Sequence, residues 1–243
     1  MKYLRIQNYK IMTILITGAS KGIGFEMVKQ FSGMPNTMVI AVSRNISTLT
    51  KLVSQNNTHS VLPIKADITS ASDQKKIVKT LKSLGLKIDV LINNAGEIVN
   101  KPFEKITQKE LYSVYNTNVY GPFTLIQLLL PFFPKKNKSH ILNISSMGGF
   151  QGSAKFSGLS AYSSSKAALC GLTECLAEEF KTKNISVNCL AIGAVQTEML
   201  SKAFPGYKAP LKANQIAEFI CNFALTGQNY FNGKIIPVSS TTP

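Results

Sequence analysis

The stretch that most narrows what this chain can become is residues 13–31. Thr13-Ile14-Leu15-Ile16-Thr17 is a short β-branched apolar run, suited to a strand buried on both faces. Directly after it come Gly18-Ala19-Ser20-Lys21-Gly22-Ile23-Gly24 and then a helical pattern over 25–31. Glycines let the backbone turn sharply and approach a pyrophosphate, and the following helix offers free N–H groups and the positive end of its dipole. A glycine turn without a ligand is the alternative. Strand, loop and helix in that order, at the first strand, favour dinucleotide binding.

The same alternation continues. Strands are expected at 37–42, 59–65, 89–92, 140–144, 186–191 and 234–238, with helices at 47–54, 72–84, 108–133, 162–181 and 215–226. Ser72 reads as an N-cap and Gly85 as a C-cap. The pattern implies an α/β fold, a doubly wound parallel sheet of about seven strands with helices on both faces, in one domain over 12–243. Residues 1–11 are polar and basic; they are a frayed extension, or translation begins at Met12.

The second strand ends in Ser43-Arg44. An acidic residue here would accept hydrogen bonds from an adenosine ribose, whereas a cation accommodates a 2'-phosphate. Ser43 removes the repulsive carboxylate, Arg44 supplies charge, and Lys21 adds a second cation, so NADP(H) is expected over NAD(H). A solvated loop arginine is the competing reading. Asp67, just past the third strand, either faces the cofactor edge or caps a turn. Asn93-Asn94-Ala95-Gly96 forms another small-residue turn at a strand's carboxyl end, where ligands collect in open α/β sheets.

Further along, Pro122 lacks the N–H that would bond the carbonyl of Asn118, so the long helix should kink beside Asn118 and leave that carbonyl for a water. Ser145-Ser146 closes the fifth strand on the same sheet edge. Tyr162 and Lys166 stand four apart on a helix and share a face. Such a pair is often an ordinary surface contact. A held cation would also pull the phenol toward neutral pKa and make Tyr162 a general acid or base. The same helix carries Ala167, Ala168, Cys170, Gly171 and Cys175 on one face, a pattern that fits self-association or packing on its own sheet.

Composition excludes several classes. The most apolar segment, 123–133, is too short to span a membrane and contains Pro131. No apolar run follows Lys2 and Arg5, so no secretory signal is read and the cytoplasm is the expected location. Cys170, Cys175, Cys189 and Cys221 show no metal-ligand spacing and read as reduced core residues; His59 and His140 read as structural. The net charge of +15 comes from scattered lysines with only two arginines, Arg5 and Arg44. That is a solvated basic surface that helps attract anionic ligands, not a nucleic-acid site.

The glycine loop, Asn93-Asn94-Ala95-Gly96, Asn118, Ser146 and Tyr162/Lys166, in this order, resemble the short-chain dehydrogenase/reductase family over nearly all of 12–243. The resemblance implies a Rossmann-type domain that forms homodimers or homotetramers and acts on a small carbonyl or alcohol. It implies that Gly18, Gly22 and Gly24 cradle the pyrophosphate, with Ser20, Lys21 and Ile23 lining the loop. Ser43 and Arg44 would meet the adenosine ribose. Asp67 and Ile68 would border the adenine, and Asn93, Asn94, Ala95 and Gly96 the nucleoside. Tyr162 resembles the catalytic acid/base, Ser146 the hydroxyl that polarises the carbonyl, and Lys166 the cation that lowers the tyrosine pKa and binds the nicotinamide ribose. Asn118 matches the position that holds a water of the proton relay. Tyr162 follows Ser146 by sixteen residues, more than the family usually has, so 150–160 should form an enlarged loop. Ile192-Gly193 replaces the usual Pro-Gly, with Val195 and Thr197 still suited to the carboxamide. A fold-retaining dinucleotide sensor is the alternative function, disfavoured by the intact Ser146, Tyr162 and Lys166.

Overall fold

The computed structural model describes residues 11–56 and 60–239. The 1–10 part of the expected extension and His59 lie outside the described residues. The chain alternates β1 (Met12–Thr17), α1 (Gly22–Ser32), β2 (Thr37–Ser43), α2 (Ser47–Asn56), β3 (Val61–Lys65), α3 (Ala71–Ser83) and β4 (Val90–Asn93). Then come α4 (Gln108–Tyr115), a π-helical turn (Asn116–Tyr120), α5 (Gly121–Leu129), β5 (Ser139–Ser146) and α6 (Ser160–Glu179). β6 (Ile185–Ile192), β7 (Val195–Gln196), α7 (Glu198–Ala203), β8 (Leu211–Lys212), α8 (Ala213–Thr226) and β9 (Ile235–Val238) complete it.

Seven strands form one parallel sheet in the order β3-β2-β1-β4-β5-β6-β9, and β7 and β8 make a separate small ribbon. The strand order reverses direction between β1 and β4, which are hydrogen-bonded neighbours. That switch point is where connections leave on opposite faces and a crevice opens at the carboxyl ends. Alternate side chains of each strand go to opposite faces. Ile14 and Ile16 of β1, with Val90 and Ile92 of β4, join the core under α1 and α8, whereas Leu15 and Leu91 join the core that includes Leu125 and Leu129 of α5. Continuous apolar runs are therefore what both faces require.

Three local expectations need correction. The cap of α3 is Ser70, whose hydroxyl accepts from the Asp73 N–H, and Ser72 lies inside the helix; the C-cap is Leu84, with Gly85 following it. A capping hydroxyl serves the N–H three residues on, and Ser70-Ala71-Ser72-Asp73 meets that spacing from Ser70. The interruption near Pro122 is a widened turn in which the Gly121 N–H bonds the Asn116 carbonyl, five residues back. Cys175 is exposed, while Cys170, Cys189 and Cys221 are buried thiols. His140 is wholly buried, its Nδ1 bonding the Ala224 carbonyl at 2.9 Å and its Nε2 facing the Asn188 amide at 3.1 Å. Burial lowers its pKa to about 4.

Candidate active site

A cleft of about 560 Å³ opens at the carboxyl ends of β1 and β4 and is lined by the glycine loop, by 42–45, by Ser47 and Thr48, by 66–68 and by Asn94-Ala95-Gly96. Gly18 takes a φ of +67°, and a Cβ there would lie 2.8 Å from the Ala95 Cα. A Cβ on Gly24 would lie 2.2 Å from the Gly18 carbonyl oxygen. Loop and helix are thus packed so closely that only glycine fits. Asn94 Nδ2 donates to the carbonyls of Thr17 and Gly18 at 3.0 and 3.2 Å, and Thr17 Oγ1 accepts from the Asn94 and Ala95 N–H groups, both at 3.1 Å. Lys21 is the N-cap of α1 but makes no side-chain cap bond, and the first turn holds no acid. The opening N–H groups and the dipole are left for an anion, which is what a dinucleotide pyrophosphate requires.

At the far end of the cleft the Ser43 hydroxyl donates to Ser20 Oγ at 2.7 Å, and Thr48 Oγ1 donates to the Ser20 carbonyl at 2.7 Å. Arg44 lines the cleft, is exposed, and pairs with no carboxylate among the described residues. Lys21 differs: its Nζ lies 3.2 Å from Glu198 Oε2, an exposed pair across the cleft mouth. Asp67 lines the cleft, and its Oδ1 accepts from the Thr69 N–H and hydroxyl at 2.9 and 2.8 Å. Ile68 is buried against the cleft.

The other end gathers Ser146, Tyr162 and Lys166. Ser146 Oγ accepts from the Gly148 N–H at 3.1 Å and stands beside Tyr162, which lines the cleft. The Lys166 ammonium, 4% exposed, donates to the Ile144 carbonyl at 2.9 Å and stands 5.9 Å from the Tyr162 ring centroid. Burial brings its pKa down to about 8, opposed by the Cys189 and Cys170 thiols. Without cofactor, burial raises the Tyr162 pKa, the Ser146 side chain opposes this less strongly, and the Lys166 ammonium is engaged by the Ile144 carbonyl. A phenol kept protonated is the form that can donate a proton to a developing alkoxide. Asn118, fully buried, spends its amide on protein: Oδ1 accepts from the Glu97 N–H at 2.8 Å, and Nδ2 donates to the Glu97 carbonyl and to Ser165 Oγ, each at 2.9 Å.

Two expected cofactor residues are not brought to the cleft. Asn93 is 1% exposed and its amide donates to Asn143 Oδ1 at 2.8 Å, inside the sheet. Val195 is buried with Ala217 and Ile220 in the core under α8. Thr197 does line the cleft and caps α7, accepting from the Leu200 N–H at 3.2 Å. The sequence singled out Met199, which lines the cleft, but passed over Thr17, Thr117 and Ile144, of which the last two line it as well. Thr17 carried a usable signal, a hydroxyl one residue before the glycine loop. The enlarged loop, 150–160, closes on itself through Lys155 Nζ and the Phe150 carbonyl at 2.6 Å, and is tied to the 100–101 segment by the Lys101 N–H and Gly158 carbonyl at 3.0 Å.

Fold and cleft define a doubly wound dinucleotide-binding protein with a hydroxyl, a phenol and an ammonium gathered at one end of the groove. A family model described as short chain dehydrogenase matches residues 12–208, and the chain belongs to that family of oxidoreductases, which use a nicotinamide dinucleotide. It is 33% identical over 230 residues, 88% of this chain and 86% of the relative, to the NADP-dependent 3-hydroxy acid dehydrogenase of Schizosaccharomyces pombe. A crystal structure of 3-ketoacyl-(acyl-carrier-protein) reductase from Brucella melitensis, complexed with NADH, superposes with a TM-score of 0.81 at 26% identity, covering 94% of this chain and 97% of that one. The Pseudomonas aeruginosa RhlG/NADP complex does so at 0.82 and 25% identity, covering 95% of each.

Proposed function

We propose that this chain is an NADP(H)-dependent reductase of a small carbonyl compound, or dehydrogenase of the matching secondary alcohol. The observation that carries the reading is Tyr162 beside Ser146 and the buried Lys166, at the end of a cleft whose other end presents Arg44 with no carboxylate partner among the described residues. Bound nicotinamide supplies or accepts the hydride. Ser146 holds the carbonyl oxygen, Tyr162 donates or removes its proton, and Lys166 supplies the positive charge beside the phenol and the grip on the nicotinamide ribose. Asn118, with its amide committed, contributes through its carbonyl, which Pro122 cannot bond. Ser43 and Arg44 select the 2'-phosphate; Gly18, Ser20, Gly22, Ile23 and Gly24 hold the pyrophosphate.

The fungal relative is named for 3-hydroxy acids and the bacterial structure for a 3-ketoacyl substrate. A 3-oxo/3-hydroxy acyl pair is therefore the first substrate class to assay. We further propose a cytoplasmic homo-oligomer; no helix among the described residues is long and apolar enough to cross a membrane. The test is thermal stabilisation by NADPH against NADH, followed by cofactor oxidation over 3-oxo esters, simple ketones and aldehydes. NADPH should stabilise more and a 3-oxo compound should turn over fastest. Stabilisation by neither cofactor would overturn the reading.

A further inference from the structure

Glu97 follows the Asn93-Asn94-Ala95-Gly96 turn and directs its carboxylate to α4 and the π-helical turn. Both its oxygens are used. Ser113 Oγ donates to Oε1 at 2.7 Å, and Thr117 Oγ1 donates to Oε2 at 3.1 Å. Ser113 lies in the last turn of α4 and Thr117 in the π-helical turn, four residues on and on the same side. The backbone of the same glutamate is gripped from the other direction: its N–H and carbonyl both bond the Asn118 amide. From Asn118 the chain of bonds continues through Ser165 Oγ, which donates to the Tyr162 carbonyl at 2.7 Å. One residue thus straps Ser113, Thr117 and Asn118 to the loop after β4, and Asn118 links that strap to the helix carrying Tyr162 and Lys166.

A π-helical turn is an uncommon local state, seen mostly as a single-turn bulge inside an α-helix and often at a functional site. Pro122 offers no N–H to the Asn118 carbonyl four residues back, but it supplies no bond that keeps the turn wide. Hydrogen bonds to an ionised carboxylate are about twice as strong as neutral ones. We propose that Glu97 is a positioning residue: its carboxylate holds the 116–120 turn in the widened form that sets Thr117 against the cleft and keeps the buried Asn118 bridging to the Tyr162 helix. The catalytic part of this inference rests on the function proposed above, whereas the clamp itself does not.

The experiment compares the wild type with Glu97→Gln, Glu97→Ala, Ser113→Ala/Thr117→Val, and the triple variant that combines the last two. Amide hydrogen exchange of the 116–121 segment is read without cofactor, and kcat, KM, the NADPH dissociation constant and the melting midpoint are read alongside. Exchange should speed up in Glu97→Ala and to a similar extent in Ser113→Ala/Thr117→Val, with Glu97→Gln between them and the wild type because it keeps one acceptor oxygen. The triple variant should be no worse than Glu97→Ala, since all three changes cut the same bonds. kcat should fall about tenfold in the same order, as misplacement of the reacting groups implies, with KM for the carbonyl little changed. Unchanged exchange over 116–121 in Glu97→Ala, additive losses in the triple variant, or a kcat loss that only follows the melting midpoint would each overturn the proposal. If Glu97→Ala does not fold, wild-type exchange and kcat in Glu97→Gln would overturn it. If the wild type reduces no carbonyl, the proposed function fails and the exchange measurement alone decides the clamp.

Discussion

The two ends of the cleft are built by different means. The nucleotide end is made of backbone: Gly18 and Gly24 let loop, helix and the Asn94-Ala95 turn meet, and the uncapped start of α1 offers its N–H groups. The catalytic end is made of side chains held by partners far away in sequence: Lys166 by Ile144, and Asn118 by Glu97 and Ser165. Binding thus rests on short turns at the ends of β1, β2, β3 and β4, whereas the chemistry depends on β5, the loop after β4, the 116–120 turn and α6 arriving in register.

That contrast predicts that the two ends can be damaged separately. The largest effect is Tyr162→Phe. Removing the phenolic hydroxyl should lower kcat by about 10²- to 10⁴-fold, the usual share of a general acid, while the NADPH dissociation constant stays within a few-fold of wild type; steady-state kinetics beside calorimetric titration read both. Next is Arg44→Asp at the opposite end. Exchanging a charge-assisted hydrogen bond for a repulsive carboxylate should shift the NADPH to NADH affinity ratio by about 10- to 100-fold toward NADH, with kcat at saturating cofactor nearly unchanged. An equal loss of kcat in this variant would mean that the two ends are not separable.

The smallest effect concerns pH. The Lys166 pKa is about 8 in the folded protein against an ordinary 10.5. Between those values the unfolded chain holds a proton that the folded one has released, so raising the pH through this window favours folding. Cofactor-free protein should gain about 1 kcal/mol from pH 8 to 9 through this group, and Lys166→Met should lose that rise. Denaturant midpoints at the two pH values check it.

The contrast also explains what could be read in advance. The glycine loop, Arg44 and the strand order follow from local patterns, because each depends on a few adjacent residues and on rules that hold in any α/β sheet. Asn93 was misassigned by one position of strand parity. It ends β4 opposite Asn143 of β5, and their bonded amides keep it within the sheet, while Asn94 turns to the loop. Pro122 correctly announced an irregularity, but the form it took, a turn widened by one residue, depends on contacts to Glu97 that no nearby residue foretells. The tyrosine pKa is a similar case. Four-residue spacing brings Lys166 onto the right face, yet burial and the Ile144 carbonyl decide what charge it shows the phenol.

The central claim is that hydride leaves or enters at the end of the cleft where Tyr162 stands. The most direct test is reduction of a 3-oxo ester with NADPH deuterated at the transferable position of its nicotinamide, followed by mass spectrometry of the product. Deuterium on the new carbinol carbon, formed by the wild type and lost in Tyr162→Phe that still binds NADPH, is the predicted result. NADPH bound without any transfer in the wild type, or transfer undiminished in Tyr162→Phe, would contradict it.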